Sequence, residues 1–245
     1  MSELQVRSSS ALTNPADILA ARAAMMKQNI RSNAPTLQYT RAGLIKTPDG
    51  REVEELQCVV LDFVYRNQWY AKPFSKGEFN AVSCQAVGDN SNEFLVPQDN
   101  VPDRQSTSCG PCPKNQWGSA PTGGNGKACS NQMLLAIMMP DLSGDDDAIW
   151  TAKCQPTALA NVGQHIAKMI DLYGHPAKVI TTLRCDPARD YPSVQTAFQA
   201  MNPLWEKHAL HLEEARRALF AGAPQVSSDG ELPQPAVANV PEVLD

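Results

Sequence analysis

The sequence predicts a mainly β fold with flanking helices, an α+β arrangement. Runs rich in β-branched and aromatic residues fill much of 36–74 and recur at 128–141 and 177–201. Apolar residues at helical spacing are confined to 15–30, 156–174 and 203–220. The result is five strands with a helix between the third and the fourth. This is the chain order of a five-stranded OB barrel, so we expect an OB-like barrel.

The first elements are a helix and a long hairpin. Residues 1–35 are predicted to form an arm and a helix, because Asn14 can cap and Pro15 suits the first helical position. The strands "LQYTRAGLI" and "EVEELQCVVLDFVYRNQWYA" then flank the turn "TPDG". In the second strand, alternation predicts two faces, one with Leu61, Phe63, Tyr65 and Trp69 and the other with Val60, Asp62, Val64 and Arg66.

The later elements complete an OB-like domain over 36–202, interrupted by an aperiodic loop at 75–130. "ACSNQMLLAIMMPD" predicts the third strand, and "GDDD" at 144–147 predicts an acidic turn. The helix over 156–174 ends at Gly174, and "AKVITTLRCD" and "SVQTAFQAM" form a second hairpin. A C-terminal helix is expected within 203–221, with His208 and His211 on its solvated side. Residues 222–245, rich in proline and acids, are predicted to be a disordered tail.

Composition leaves the partner class open. The net charge is −5, but residues 222–245 contain four acids and no Lys or Arg, so the remainder is near neutral. A local basic groove is therefore compatible with the overall charge. The longest apolar run, 133–139, is far shorter than the roughly 18 residues of a membrane span. No secretory signal precedes the chain, so we expect a cytoplasmic protein without a membrane partner.

The cysteines predict a metal site within the long loop. Seven cysteines without a signal peptide favour metal ligands or core thiols over disulfides. Cys109 and Cys112 form a CxxC pair, and Cys129 follows after a glycine-rich segment. Cys84 is the best candidate for a fourth ligand, because it lies in the same aperiodic region. Four thiolates without an open position indicate a structural zinc, which would keep the loop ordered. Reduced thiols and an iron–sulfur centre are the alternatives.

Motifs of catalysis are missing, and we expect no enzyme and no catalytic residues. "GGNGKA" lacks the first glycine and the Ser or Thr of a phosphate-binding loop. A nuclease assembled from scattered acids is the enzymatic alternative, with Asp62, Asp89, Asp99 and Asp103 as its candidates.

One block of the loop resembles a known family. "CGPCPKNQWGS" followed by "GKAC" is similar to a block in phage-encoded single-stranded DNA-binding proteins, and the similarity extends over about residues 36–200. The resemblance implies an OB-like fold interrupted by a zinc loop, with Cys84, Cys109, Cys112 and Cys129 at the ligand positions. It also implies sequence-independent binding of single-stranded DNA during phage replication or recombination, in the host cytoplasm. The family's acidic tails regulate DNA access and contact replication or recombination proteins. This tail departs from them, because it is thinly charged and ends "VPEVLD".

Single-strand binding requires cations for phosphates and exposed aromatic rings for bases. Three segments supply both, and their candidate contacts are Tyr65, Arg66, Trp69, Tyr70 and Lys72 on the second strand, Tyr39, Arg41 and Lys46 on the first, and Lys114, Trp117 and Lys127 in the loop. The alternative function is a zinc-stabilised protein-interaction module, virion or regulatory, that binds no DNA. A homo-oligomer is compatible with either function.

Overall fold

A computed structural model describes residues 35–72, 81–121, 123–142, 148–186, 189, 191 and 193–221. Three predicted features lie outside these residues: the N-terminal arm and helix, the acidic turn at 144–147, and the tail at 222–245.

The described chain is mainly β with a few helices, as the sequence predicts. Its strands are β1 (Gln38–Tyr39), β2 (Ile45–Lys46), β3 (Glu52–Val53), β4 (Glu55–Trp69), β5 (Cys84–Gly88), β6 (Ser130–Met138), β7 (Trp150–Cys154), β8 (Val179–Cys185) and β9 (Val194–Met201). Its helices are α1 (Leu159–Tyr173), α2 (Trp205–Ala209) and α3 (Leu212–Phe220). None of these helices is long and apolar enough to cross a membrane.

The long strand β4 organises the larger sheet. One edge of β4 pairs with β6 from Val59 to Gln68. The other edge pairs with β8 over 55–58 and with β5 over 65–69. The antiparallel order is β7-β6-β4-β8-β9, with β5 beside β4, and the short strands β1, β2 and β3 form a second sheet. The candidate functional site is therefore built on β4 and the strands beside it.

The predicted first strand, 37–45, is broken by a turn. β1 and β2 occupy its two ends and pair with each other. Between them the Leu44 N–H donates to the Thr40 hydroxyl oxygen, and Gly43 adopts a φ of 80°. Because that backbone conformation favours glycine, "TRAG" makes a turn where alternation predicted a strand.

A β-bulge overturns part of the predicted alternation in β4. The register against β6 shifts between Val60 and Asp62. Leu61 consequently packs with Val59 and Val64, whereas Val60 packs on the face of Phe63. The prediction is wrong for Val60 and Leu61 but holds from Asp62 onward, since one extra residue shifts alternation locally.

The strands as described do not close into a barrel. The larger sheet ends at β7 and β9, and a single isolated bridge, between Thr36 and Thr151, joins the segment before β1 to β7. The main core lies between the two sheets and α1, where Leu56, Leu135 and Val162 are buried. A second core covers the opposite face of β4 and β6 beneath α3.

The structure confirms the helix that was predicted over 156–174, which is α1. Val162, Ile166 and Met169 are buried, and Gly174 ends the helix with a φ of 82° and an N–H bond to the Ile170 carbonyl. The three residues follow helical spacing, so the apolar stripe identified both the helix and its buried face.

The predicted C-terminal helix is divided into α2 and α3. Its break at 210–211 lets His208 face Met139 while Ala215 and Leu219 face the second core. His208 is 0% exposed, so its prediction as a solvated residue is wrong. His211 is partly exposed, with Nδ1 3.6 Å from Glu214.

Candidate nucleic-acid interface and cysteine cluster

The four cysteines of the loop meet at one end of β4. Cys84 opens β5 opposite Trp69, and Cys129 immediately precedes β6. The loop's CxxC segment is attached through backbone bonds, from the Cys109 N–H to the Leu95 carbonyl (2.9 Å) and from the Cys129 N–H to the Lys114 carbonyl (2.8 Å). All four side chains are buried, and none forms a disulfide.

The thiols lie close enough to influence one another electrostatically. The pKa of Cys129 is raised to about 12, mainly by burial and then by Cys109, Cys112 and Cys84. Burial also raises the pKa of Cys109, against a lowering hydrogen bond from the Asn67 side chain. Buried, clustered thiols are the donor set that zinc accepts. Among the described residues, however, no three His, Cys, Asp or Glu side chains are arranged to hold a metal ion, so zinc stays a prediction.

A network of asparagine side chains joins the sheet to the cysteine loop. The Asn131 amide donates to the Oδ1 atoms of Asn67 (2.6 Å) and Asn115 (2.9 Å). The Asn115 amide in turn donates to the Cys109 carbonyl (2.8 Å). Asn67 and Asn92 exchange two further bonds, at 2.6 and 2.8 Å. Because its buried amides are bonded to one another, the network fixes the loop rigidly on the sheet.

The same network positions a lysine beside an exposed tryptophan. Lys127 Nζ donates to Asn131 Oδ1 at 3.1 Å and lies 5.1 Å from the centroid of the Trp117 ring. Trp117 is 77% exposed. One ring face therefore carries a cation while the other is open to solvent.

Trp117 and Lys127 border a groove of about 700 Å³ between the cysteine loop and the start of α1. Asn92 and Asn131 line it, as do Pro156, Thr157 and Leu159. Glu93 also lines the groove and contributes the opposite charge. The groove thus combines an aromatic ring, a fixed ammonium group and neutral amides. The carboxylate of Glu93 would repel an anionic ligand.

A second aromatic–cation pair lies nearer the cysteines. Lys114 Nζ is 5.0 Å from the centroid of the Trp69 ring. Trp69 is only partly exposed and pairs directly with Cys84. Less of its ring is therefore open to a ligand than that of Trp117, which is 77% exposed.

The other predicted DNA contacts on β4 and just after it differ in how exposed they are. Tyr65 packs edge-on against Phe63, with ring centroids 5.9 Å apart. Arg66 Nε and NH2 donate to the Gln132 side-chain oxygen, and burial lowers the arginine's pKa to about 10, which leaves it charged at neutral pH. Tyr70 is 38% exposed and Lys72 is exposed, so both are accessible at the end of the strand.

Tyr39 does not present its polar end to a ligand. Its ring packs against the main core, and its buried hydroxyl has no hydrogen-bond partner among the described residues. Burial raises its pKa well above the usual value, and the nearby thiols of Cys154, Cys58 and Cys185 add to this. Arg41 and Lys46 are exposed on or beside the small sheet, and neither lines the groove of Trp117.

The structure gives each of the four acids of the nuclease alternative a polar partner. Asp62 and Asp89 both bind Arg216, with 3.4 Å from Arg216 NH1 to Asp62. Asp99 pairs separately with Arg104 at 2.8 Å. Asp103 accepts instead from Gln105. Asp62 and Asp89 thus share one arginine, Asp99 has its own, and Asp103 bonds to a neutral amide.

The sequence analysis missed the four asparagines that carry the network. The sequence offers one weak signal for them: Asn67 and Asn131 are amide residues within predicted strands. Since buried amides need partners, two such residues in neighbouring strands indicate a polar network across them.

Comparisons with known proteins leave the family open. No protein-family model matches the chain, and no curated protein or solved structure matches it either. The resemblance to phage-encoded single-stranded DNA-binding proteins therefore stays a prediction.

Proposed function

We propose that this chain binds single-stranded DNA without sequence preference, in phage DNA replication or recombination. The observation that carries the proposal is the exposed Trp117 ring, paired with Lys127 on the rim of the groove. A base can stack on the open ring face while the ammonium group neutralises a phosphate. The asparagine network holds Lys127 in place before the strand arrives, which reduces the ordering cost of binding.

We also propose that Cys84, Cys109, Cys112 and Cys129 hold a structural zinc ion. Their burial and mutual electrostatic coupling support this donor set. The ion would supply folding free energy to a loop with few apolar contacts, whose own cluster comprises Ala86, Leu95 and Cys109. The zinc would therefore act on DNA binding only indirectly, by fixing the position of Trp117.

The strands are best interpreted as a strongly open OB-like barrel. β4, β6 and β7 are followed by the bridge between Thr151 and Thr36, and then by β1, β2 and β3. β3 leads into β4 after a single residue, so the path returns to the strand where it started. This circular order supports the proposal, although one link of the ring is a single bridge.

Trp117→Ala should weaken binding of a labelled oligothymidine by about 5- to 150-fold. The expectation follows from a stacked base contributing about 1–3 kcal/mol. Fluorescence anisotropy at several salt concentrations measures the loss.

Lys127→Gln should reduce the magnitude of the slope of log affinity against log salt concentration by about 0.7, because one phosphate contact is lost. The same anisotropy titrations measure this slope.

Matched controls separate the groove from general effects. Trp205 is also paired with a lysine, with Lys178 Nζ 5.1 Å from its ring centroid, but it does not line the groove. Trp205→Ala should leave affinity unchanged, and Glu93→Gln should increase it by removing a repulsive charge. Wild-type protein that binds no oligothymidine at low salt would instead favour the protein-interaction module.

A further inference from the structure

The groove of Trp117 adjoins a second cavity of about 480 Å³. The two cavities share Pro156 and Thr157 as lining residues, so they meet at the turn that precedes α1. Lys153, Gln155 and Tyr191 also line the second cavity. A ligand as long as a nucleic-acid strand can therefore pass from one cavity to the other along one surface.

The second cavity repeats the chemistry of the first. Tyr191 is 44% exposed, and the Arg189 guanidinium carbon lies 5.9 Å from its ring centroid. Arg189 NH1 also donates to the Tyr191 hydroxyl at 3.4 Å, which aligns the cation with the ring. Asp186, 3.6 Å from Arg189 Nε, offsets part of this charge.

Lys153 adds a cation that no acid of the described chain pairs with. It is partly buried, and both burial and the neighbouring Arg66 lower its pKa. A half-buried ammonium group near another cation gains more from an anionic ligand than a fully solvated one. This makes the cavity wall favourable to phosphate.

The ridge between the cavities is also suited to a phosphate chain. It consists of the turn Pro156–Ala158 and the first residue of α1. The helical backbone of this turn runs directly into the 15-residue helix α1, so the N-terminal end of the combined helix lies at Pro156. The positive end of the helix dipole adds to the attraction of the neighbouring lysines.

We propose that one single strand occupies both cavities, with one base stacked on Trp117 and a later base stacked on Tyr191. The strand crosses the start of α1 between them, and Lys153 and Arg189 contact phosphates in the second cavity. The inference rests on the proposed function, and it identifies Tyr191 as a second base-stacking residue.

Tyr191→Ala and Tyr191→Phe test this inference with oligothymidines of increasing length. We expect Tyr191→Ala to weaken the binding of long oligothymidines by about 5- to 150-fold. The shortest oligothymidines, which bind only at Trp117, should keep wild-type affinity. Tyr191→Phe should keep most of the affinity at every length, because it keeps the ring and removes only the weak hydrogen bond from Arg189. Thermal unfolding of both variants checks that the exposed substitution leaves the fold intact.

Photocross-linking locates the strand independently. An oligothymidine with 5-iodouracil at one end or the other should cross-link to a Trp117 peptide from one end and a Tyr191 peptide from the opposite end.

The outcomes separate the two proposals. Wild-type protein that fails to bind any oligothymidine overturns the proposed function itself. If the wild type binds and Trp117→Ala weakens it, but Tyr191→Ala equals the wild type at all lengths, only the two-cavity path is wrong. Equal losses at every length for Tyr191→Ala also overturn that path, because Tyr191 would then act at the first stacking position.

Discussion

Replacing His208 with leucine should lower the free energy of unfolding by about 2–5 kcal/mol. The imidazole is completely buried, with Nε2 3.0 Å from the Met139 carbonyl oxygen. Nδ1 lies 3.2 Å from the Asn202 amide nitrogen. Nδ1 is also 2.9 Å from the Leu204 carbonyl oxygen, which accepts the backbone N–H of His208. When Nε2 donates to Met139, the neutral ring can accept at Nδ1 from the Asn202 amide. Leucine would leave a buried carbonyl and one amide hydrogen without partners, and each such group costs about 1–3 kcal/mol.

Urea unfolding of both variants measures the effect against a close control. His211→Leu, three residues later, affects a partly exposed side chain near Glu214. We expect its effect to stay within about 0.5 kcal/mol. Comparable losses for the two substitutions would show that the His208 contacts contribute nothing particular to stability.

The sequence predicted elements whose pattern is local. Helix α1 carries its apolar stripe and its terminating Gly174 within one short segment. The continuous apolar run of β6 is likewise buried along nearly its whole length. In both cases the signal and the structure that it predicts involve the same neighbouring residues, so no knowledge of the tertiary fold is needed.

The mispredicted features depend on distant partners. The bulge at Leu61 is defined by the register of β4 against β6, which the alternation within β4 does not contain. His208 looks like a solvated helical residue until Met139, far away in sequence, is placed against it. Tyr39 similarly looks like an accessible strand aromatic until the main core closes around it.

The candidate site also contains features that depend on local sequence and features that depend on contacts between distant segments. The CxxC turn and the flexible glycine-rich return constrain Cys109, Cys112 and Cys129 locally, whereas Cys84 reaches them only through the pairing of β5 with β4, and the shared metal site stays a prediction. The asparagine network could not be foreseen in detail, because Asn67, Asn115 and Asn131 come from two strands and a loop. Their individual roles follow from contacts between segments that the sequence separates.

Cys112→Ser should abolish stoichiometric metal binding and severely destabilise the loop. On the proposed assignment, wild-type protein carries one zinc per chain, and structural zinc contributes on the order of 10 kcal/mol in small zinc modules. Elemental analysis and thermal unfolding measure the two losses, and visible absorption distinguishes an iron–sulfur centre. Cys185→Ser is the control, since it alters another buried cysteine, one in β8 and outside the cluster. It should keep the metal, whatever its effect on stability. Full metal content in Cys112→Ser would contradict the ligand assignment.

Metal loss should also weaken single-strand binding, although the ion is not proposed to touch DNA. Trp117 lies in the segment between Cys112 and Cys129, and Lys127 is held by Asn115 and Asn131. Releasing the thiols of Cys112 and Cys129 leaves the asparagine network and backbone bonds to hold that segment, so the stacking ring and the ammonium group keep their common position less well. Chelator-treated protein should therefore lose at least as much affinity as Trp117→Ala, and restored zinc should recover it. Unchanged affinity after complete metal removal would place the DNA contacts on the sheet rather than on the loop.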